Sequence, residues 1–267
     1  GIGERMKLGV IGFGNMGSAI TKGFISKQVM DINDIAVFDT YDKTREKAEA
    51  EGFATYFKDE IDLVKYADFV LVAVKPVHAK DLFEKISQYI DNKLIISIVA
   101  GLESATIKSW TGSDKRVLRI MPNTPAIVGE GVFALDSDSN ALGEEKKTVE
   151  KMFSAIGHVE WVEERLFPVV TGLSGGGPAY VAMFIEALAD AGVLHGLKRD
   201  VAIKMAAKTV LGSAAQILDT QIHPAVLKDM VCSPAGTTIE GVKVLEDYSF
   251  RAGVIEAVSA ATLKSKK

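Results

Sequence analysis

Lys7-Leu8-Gly9-Val10-Ile11-Gly12-Phe13-Gly14-Asn15-Met16-Gly17 is the stretch that decides how this chain is read. Lys7 to Ile11 is a short apolar run suited to a strand. Three glycines follow at GxGxxG spacing, and Met16, Ala19, Ile20, Gly23 and Phe24 then share one helical face. The chain returns as a strand at Ile35 to Phe38 and closes it with Asp39, about twenty positions past the glycines. Strand, glycines, helix, strand and acidic residue together make the dinucleotide-binding fingerprint, which three glycines alone would not. Gly12 allows the tight turn, Gly14 lets a pyrophosphate approach the backbone, and Gly17 lets the helix pack on the strand. Gly12, Phe13, Gly14, Asn15, Met16 and Gly17 are therefore candidate cofactor-binding residues. Asp39 suits the ribose 2′-OH of NAD, whereas Thr40, Lys43 and Arg45 suit the 2′-phosphate of NADP, and both readings stay open.

Working outward, the alternation of strand and helix continues. Lys58 to Asp68 reads as a helix, Phe69 to Val74 as a strand buried on both faces, and Lys75-Pro76 as its end. A helix near Ala79 to Ile90, a strand at Leu94 to Val99 and a short helix near Ser104 to Trp110 follow. Next come strands at Val117 to Met121 and Gly131 to Leu135, a helix from about Glu144 to Ile156, and a strand at Val159 to Val162. Open α/β sheets bind ligands at the carboxyl ends of their strands, which makes Val74, Lys75, Pro76 and Ala100 cofactor candidates. A plain strand end with a solvated lysine accounts for the same residues. Pro122-Asn123-Thr124-Pro125 reads as an extended, stiff loop that walls a nicotinamide pocket or serves as a rigid connection.

After Leu166 the strands stop and long Ala-rich helical patterns begin, so the chain divides into a nucleotide-binding domain, 1–166, and an all-helical domain, 167–267. The fold class expected is an α/β Rossmann-type doubly wound sheet followed by an all-α dimerisation domain. Thr171 to Pro178 reads as a flexible glycine run. Helices are expected from about Ala179 to Leu194 and from about Asp200 to Leu218. The second of these is apolar around most of its circumference, which calls for a partner subunit to bury it. Near the C-terminus, Ser233 and Pro234 suit a cap and the first position of a helix on which Ile239, Val242 and Leu245 recur at helical spacing. The first turn of that helix offers unpaired N–H groups, Gly236 lets a ligand come close, and Thr237 and Thr238 add hydroxyls: a cradle for a carboxylate, or an ordinary capped helix.

The chain has 267 residues, 48% of them hydrophobic, a net charge of −4 and one cysteine. That is ample core for two domains. It offers no basic block beyond the Lys264 to Lys267 tail, so the expected partner is a small molecule rather than nucleic acid or a membrane. Arg5 and Lys7 before an apolar run can mimic a signal peptide, but the glycines that interrupt it favour a strand and turn, and no run of eighteen apolar residues suggests a transmembrane helix. Cys232 has no internal partner, which fits the cytoplasm, and it reads as a structural thiol. His78, His158, His195 and His223 are scattered without metal-binding spacing, so no metal is expected, and His223 reads as a cap before Pro224.

The chain resembles the pyrroline-5-carboxylate reductases over nearly its whole length. The resemblance rests on Ile11 to Met16, Val72 to Pro76, Arg119 to Ala126, Thr171 to Tyr180, Phe184 to Gly192 and, most specifically, Leu227-Lys228-Asp229-Met230-Val231-Cys232-Ser233-Pro234-Ala235-Gly236-Thr237-Thr238-Ile239. It implies an NAD(P)H-dependent oxidoreductase, usually preferring NADPH, that reduces the C=N bond of 1-pyrroline-5-carboxylate to L-proline. It further implies a helical domain that interlocks with its partner, often in rings of dimers. Two departures are visible: Gly176 where the family often has serine, and Ala235 where it often has glycine. The substrate carboxylate is expected on Ser233, Gly236 and Thr237, with Thr238 on the ring nitrogen as the catalytic contact, and the resemblance also brings Glu164 near the substrate. Two alternatives are a β-hydroxyacid dehydrogenase and a non-catalytic NADP(H) sensor. The first is opposed by Val181 and Ile185, which stand where that group's Gly-x-x-Gly-x-Gly-x-x-x-Lys-x-x-x-Asn pattern has its acid/base lysine and its asparagine.

Overall fold

The computed structural model describes residues 5–267. In chain order the elements are β1 (Leu8–Ile11), α1 (Asn15–Ser26), β2 (Ile35–Phe38), α2 (Asp42–Ala50), α3 (Glu60–Tyr66), β3 (Phe69–Val72), α4 (Pro76–Ile86), β4 (Leu94–Ser97), α5 (Ser104–Thr111), β5 (Arg116–Met121), β6 (Gly131–Asp136), α6 (Gly143–Ser154), β7 (Gly157–Val162) and α7 (Phe167–Val170). Then follow α8 (Gly177–Leu194), α9 (Arg199–Thr220), α10 (Pro224–Val231), α11 (Thr237–Asp247) and α12 (Phe250–Ser265). The chain parts into two compact units, one running to Gly175 and taking in Thr262–Lys267, the other Gly176–Ala261.

The first unit is a seven-stranded sheet in the order β2-β1-β3-β4-β5-β6-β7. Neighbours are parallel except β5 and β6, which pair antiparallel with Ile120 opposite Leu135. Strands β1 to β4 are buried along their whole length, as continuous apolar strands covered on both faces must be. Because side chains alternate, each strand feeds two cores. Leu8, Val10, Leu71 and Ile96 join Phe24, Phe133 and Phe153 on one face, while Ile11, Val70, Val72 and Ile95 join Leu82, Phe83 and Ile107 on the other.

Several expectations need correction here. The helix expected from Ala79 begins at Pro76, because a proline whose N–H would be unpaired anyway fits the first turn. Only Pro122 and Asn123 extend the 122–125 loop; Thr124–Val128 winds into a 3-10 turn with Pro125 in its first positions. The stretch read as a flexible glycine run is a π-helical turn at Thr171–Gly175, with Ser174 buried. Its Ser174 carbonyl accepts from Asn123 Nδ2 at 3.1 Å. That docking, and the complete burial of Phe167, hold residues 167–175 in the first compact unit.

The second unit is all helical and has a small core of its own: Ala189, Ala202 and Ala206, with Ile185 and Val193 packed against them. Small side chains bring α8 and α9 close. The same two helices leave Met183, Met205, Leu211 and Leu218 more than half exposed. Against expectation, two stretches, Glu164–Leu194 and Arg199–Thr220, are long and apolar enough to cross a membrane by length and composition. Scattered charges such as Glu186 and Lys204 break any unbroken apolar run, which is why counting consecutive residues missed them.

Candidate active site

The glycine loop between β1 and α1 sits where the strand order reverses, with β2 on one side of β1 and β3 on the other. Gly12 has φ of +94°, and a Cβ there would lie 2.6 Å from the Ala73 carbonyl oxygen. A Cβ on Gly17 would lie 2.5 Å from the Gly12 carbonyl oxygen. Around Gly14, by contrast, a Cβ would meet nothing within 4 Å. Two glycines are thus demanded by the fold, and the third faces open space at the N-terminus of α1, where no side chain caps the free N–H groups and no acidic residue stands in the first turn. Those donors and that space fit a pyrophosphate. Asn15 is exposed beside them. Phe13 and Met16 can offer only backbone: the Phe13 ring is 5.1 Å from that of Phe53, edge to face, and Met16 packs on the core.

Asp39 is buried, and both its oxygens are engaged. Oδ2 accepts from the Phe13 N–H at 2.8 Å and Oδ1 from the Tyr41 N–H at 2.9 Å. It therefore clamps the glycine loop to the end of β2, a role that sequence spacing does not reveal. Thr40 and Lys43 are exposed just beyond it. The Arg45 guanidinium lies over the Phe38 ring, 5.8 Å from its centroid, and pairs with Asp42. Val74, Lys75 and Pro76 follow β3 at the same reversal point, Lys75 exposed at the start of α4, and Ala100 is exposed just past the end of β4. A groove of about 510 Å³ lies along another flank of α1, between Ser18, Lys22 and Lys27 and the turn at Ile127–Gly129. Of the candidate residues it touches only Asn15, and the open shelf at the glycine loop is the space around Gly14.

Glu164 lies in a buried polar network that the sequence reading did not foresee. Its Oε1 accepts from the Ser104 N–H at 2.7 Å, capping α5, and stands 3.6 Å from Arg119 Nη1. The Arg119 guanidinium is buried over the Phe167 ring, 4.6 Å from its centroid, and burial lowers its pKa while Glu164 works the other way. Ser104 Oγ in turn donates to Asp136 at 3.4 Å. Burial, first, and then the neighbouring charges of Glu164 and Asp138 push the Asp136 carboxyl up to about 6. An arginine amid the apolar residues of β5 was the one signal in the sequence. Asn123 belongs with these missed residues, because its Oδ1 accepts from Val132 N–H at 2.8 Å while its Nδ2 holds the π-helical turn.

In the helical unit, His223 is the cap expected of it, its Nδ1 accepting from Ala225 N–H at 3.1 Å. Ser233, however, is not the cap of the following helix. The Gly236 N–H donates to the Ser233 carbonyl at 3.1 Å, closing a turn over Pro234 and Ala235, and α11 starts at Thr237 with Gly236 in the capping position. No side chain caps it, so its first N–H groups stay available, with the exposed hydroxyls of Thr237 and Thr238 beside them. A Cβ on Gly236 would lie 2.6 Å from Ser233 Oγ, a contact that rotation of the serine side chain relieves. Cys232 is half-buried just before the turn and unpaired. Among the described residues, no group of three His, Cys, Asp or Glu side chains is placed to hold a metal.

A doubly wound sheet with an open glycine loop, followed by a helical unit, defines a nicotinamide-dependent oxidoreductase. Residues 7–101 match the family model described as NADP oxidoreductase, coenzyme F420-dependent, and residues 164–267 match that described as pyrroline-5-carboxylate reductase dimerisation. The chain is 42% identical to the pyrroline-5-carboxylate reductase of Arabidopsis thaliana, over 99% of this chain and 96% of that protein. It superposes on the Coxiella burnetii pyrroline-5-carboxylate reductase with a TM-score of 0.91 at 33% identity, and on the NADP-bound Plasmodium falciparum pyrroline carboxylate reductase with 0.87 at 34%, covering 98% of each chain in both cases. The chain belongs to the pyrroline-5-carboxylate reductase family. These similarities favour neither the hydroxyacid dehydrogenase nor the sensor.

Proposed function

We propose that this chain reduces 1-pyrroline-5-carboxylate to L-proline, the last step of proline biosynthesis, with NAD(P)H. The observation that carries the reading is the full-length identity to proteins of that name, joined to an uncapped helix N-terminus within the most specific part of the resemblance. Bound NAD(P)H supplies the hydride, which goes to the C=N carbon while the ring nitrogen ends as the amine. The open shelf at Gly14, Asn15 and Gly17 would hold the pyrophosphate, with Val74, Lys75, Pro76 and Ala100 lining the strand ends toward the nicotinamide. Asp39, whose oxygens accept from the Phe13 and Tyr41 N–H groups and keep acceptor sites to spare, would read a ribose 2′-OH, and Thr40, Lys43 and Arg45 beside it would receive the 2′-phosphate of NADPH, the cofactor the family usually prefers.

At the other partner's end, the N–H groups of α11 behind Ser233, Gly236 and Thr237 would hold the substrate carboxylate, where unpaired donors and the helix dipole favour an anion. Thr238 Oγ1 would bond the ring nitrogen. A protonated imine already accepts hydride readily, so positioning replaces a strong acid, in keeping with the absence of a lysine at Val181. The resemblance brings Glu164 to the substrate as well, with its Oε1 already held by the Ser104 N–H and 3.6 Å from Arg119 Nη1. The exposed apolar faces of α8 and α9 would be covered by a second copy, giving a homodimer that can assemble into rings. The lone cysteine fits the cytoplasm. The test is oxidation of NADPH and of NADH on addition of 1-pyrroline-5-carboxylate. Turnover is expected with both, faster with NADPH, and Thr238→Ala should lower kcat by about tenfold or more with little change in cofactor KM. Cofactor binding without turnover would overturn the proposal.

A further inference from the structure

Arg45 is held from two sides. Its guanidinium lies over the ring of Phe38, the buried last residue of β2, which keeps the charge at the strand end that Asp39 follows. Its other partner is Asp42, three residues earlier on α2. The two contacts differ in kind. Phe38 places the guanidinium without neutralising it, whereas Asp42 neutralises it with a side chain that is 78% exposed. An exposed ion pair of this sort does little for the fold. Asp42 also stands in the first turn of α2, where a carboxylate suits the helix dipole, and that is the whole of its role if no cofactor binds there. A cofactor gives it a second one. A ribose 2′-OH can donate to a neighbouring carboxylate, while a 2′-phosphate, with a charge of about −1.5 to −2, is repelled by it and seeks the same arginine.

We propose that Asp42 is a specificity-determining residue: by pairing with Arg45 it competes with the 2′-phosphate of NADPH for that guanidinium and so keeps NADH usable. The inference rests on reading Thr40, Lys43 and Arg45 as the receivers of the 2′-phosphate. Binding NADPH then exchanges one anion for another at Arg45, while NADH, with a hydroxyl at that position, leaves the Asp42–Arg45 pair intact. Neutralising Asp42 removes both the competitor and a repelling charge, and Phe38 still holds the guanidinium in place. One unit of charge acting on a phosphate a few ångströms away across solvated, salt-screened surface is worth about three- to sevenfold in affinity.

The experiment titrates the cofactor-free, full-length protein with NADPH and with NADH by fluorescence, for the parent, Asp42→Asn and Arg45→Gln, with thermal scans alongside. For Asp42→Asn the Kd for NADPH is expected to fall about three- to sevenfold, with the Kd for NADH within about twofold of the parent. For Arg45→Gln the Kd for NADPH is expected to rise about tenfold, one charge-assisted hydrogen bond being lost, again with NADH little changed. A carboxylate that serves only the helix would shift Tm and move the two cofactors together or not at all. An NADPH-to-NADH Kd ratio for Asp42→Asn within about twofold of the parent therefore overturns the proposal. If Arg45→Gln still weakens NADPH in that case, the phosphate reading stands and only the competition falls. If Arg45→Gln leaves NADPH binding as it was, Arg45 does not receive the phosphate, and both fall.

Discussion

Alanine substitutions at the three glycines of the β1–α1 loop should separate what the fold requires from what the cofactor requires. At Gly12 an alanine meets two penalties: the left-handed backbone costs an L-residue about 1–2 kcal/mol, and its Cβ would lie 2.6 Å from the Ala73 carbonyl oxygen, a backbone atom that yields only if β3 shifts. A total near 2–3 kcal/mol, at about 2–4 °C per kcal/mol for a chain of this size, predicts a Tm lower by about 5–10 °C. Gly17→Ala gains about 1 kcal/mol of helix propensity but sets its Cβ 2.5 Å from the Gly12 carbonyl oxygen, and should also be destabilised. Gly14→Ala meets nothing within 4 Å. As a poor capping residue it costs about 1 kcal/mol or less, so Tm should fall by no more than about 3 °C. Its methyl fills the space read as the pyrophosphate's. Two charge-assisted hydrogen bonds lost, at about 1.5 kcal/mol each, raise the Kd for NADPH by about a hundredfold. Thermal scans of the cofactor-free protein and fluorescence titration with NADPH measure the two axes. Parent-like NADPH binding by Gly14→Ala, or a Tm loss equal to that of Gly12→Ala, would refute the assignment of Gly14 to the ligand and Gly12 to the fold.

Asp136 sets a pH dependence with a definite sign. Its carboxyl is raised from 3.8 to about 6 in the folded protein, so its contribution to stability is complete below pH 4 and is lost as pH rises through 6, by about 3 kcal/mol in all. Asp136→Asn should flatten urea midpoints between pH 4 and 7 and be the more stable protein at pH 8; equal slopes for parent and variant would contradict the burial argument. For the helical unit, Leu211→Glu places a charge on an exposed apolar face of α9, and sedimentation should show a shift toward monomer, whereas an unchanged oligomer would place the interface elsewhere.

Much of this protein was legible in its sequence because the relevant forces are local. The strand-glycine-helix pattern from Lys7 to Phe24 is written in residues a few positions apart, and the different duties of Gly12, Gly14 and Gly17 follow from where a Cβ can fit. The apolar runs that become β1 to β4 needed only hydrophobic period and length. His223 before Pro224 announced a cap, and the Ser233–Thr238 stretch announced a helix tip.

What the tertiary structure alone decided depends on residues distant in the chain. Asp39 is spaced like a ribose ligand and in addition accepts from the Phe13 and Tyr41 N–H groups, because the fold brings the end of β2 against the glycine loop. Glu164 reaches across sixty positions to cap α5, and Asn123 across fifty-one to hold a π-helical turn where glycines suggested slack. Ala235 takes a left-handed turn that neither it nor proline would indicate. Periodicity and capping propensity are properties of a short segment and can be read from it. Which acceptor a buried donor finds, and what backbone strain a packed loop will bear, are settled only when the segments meet.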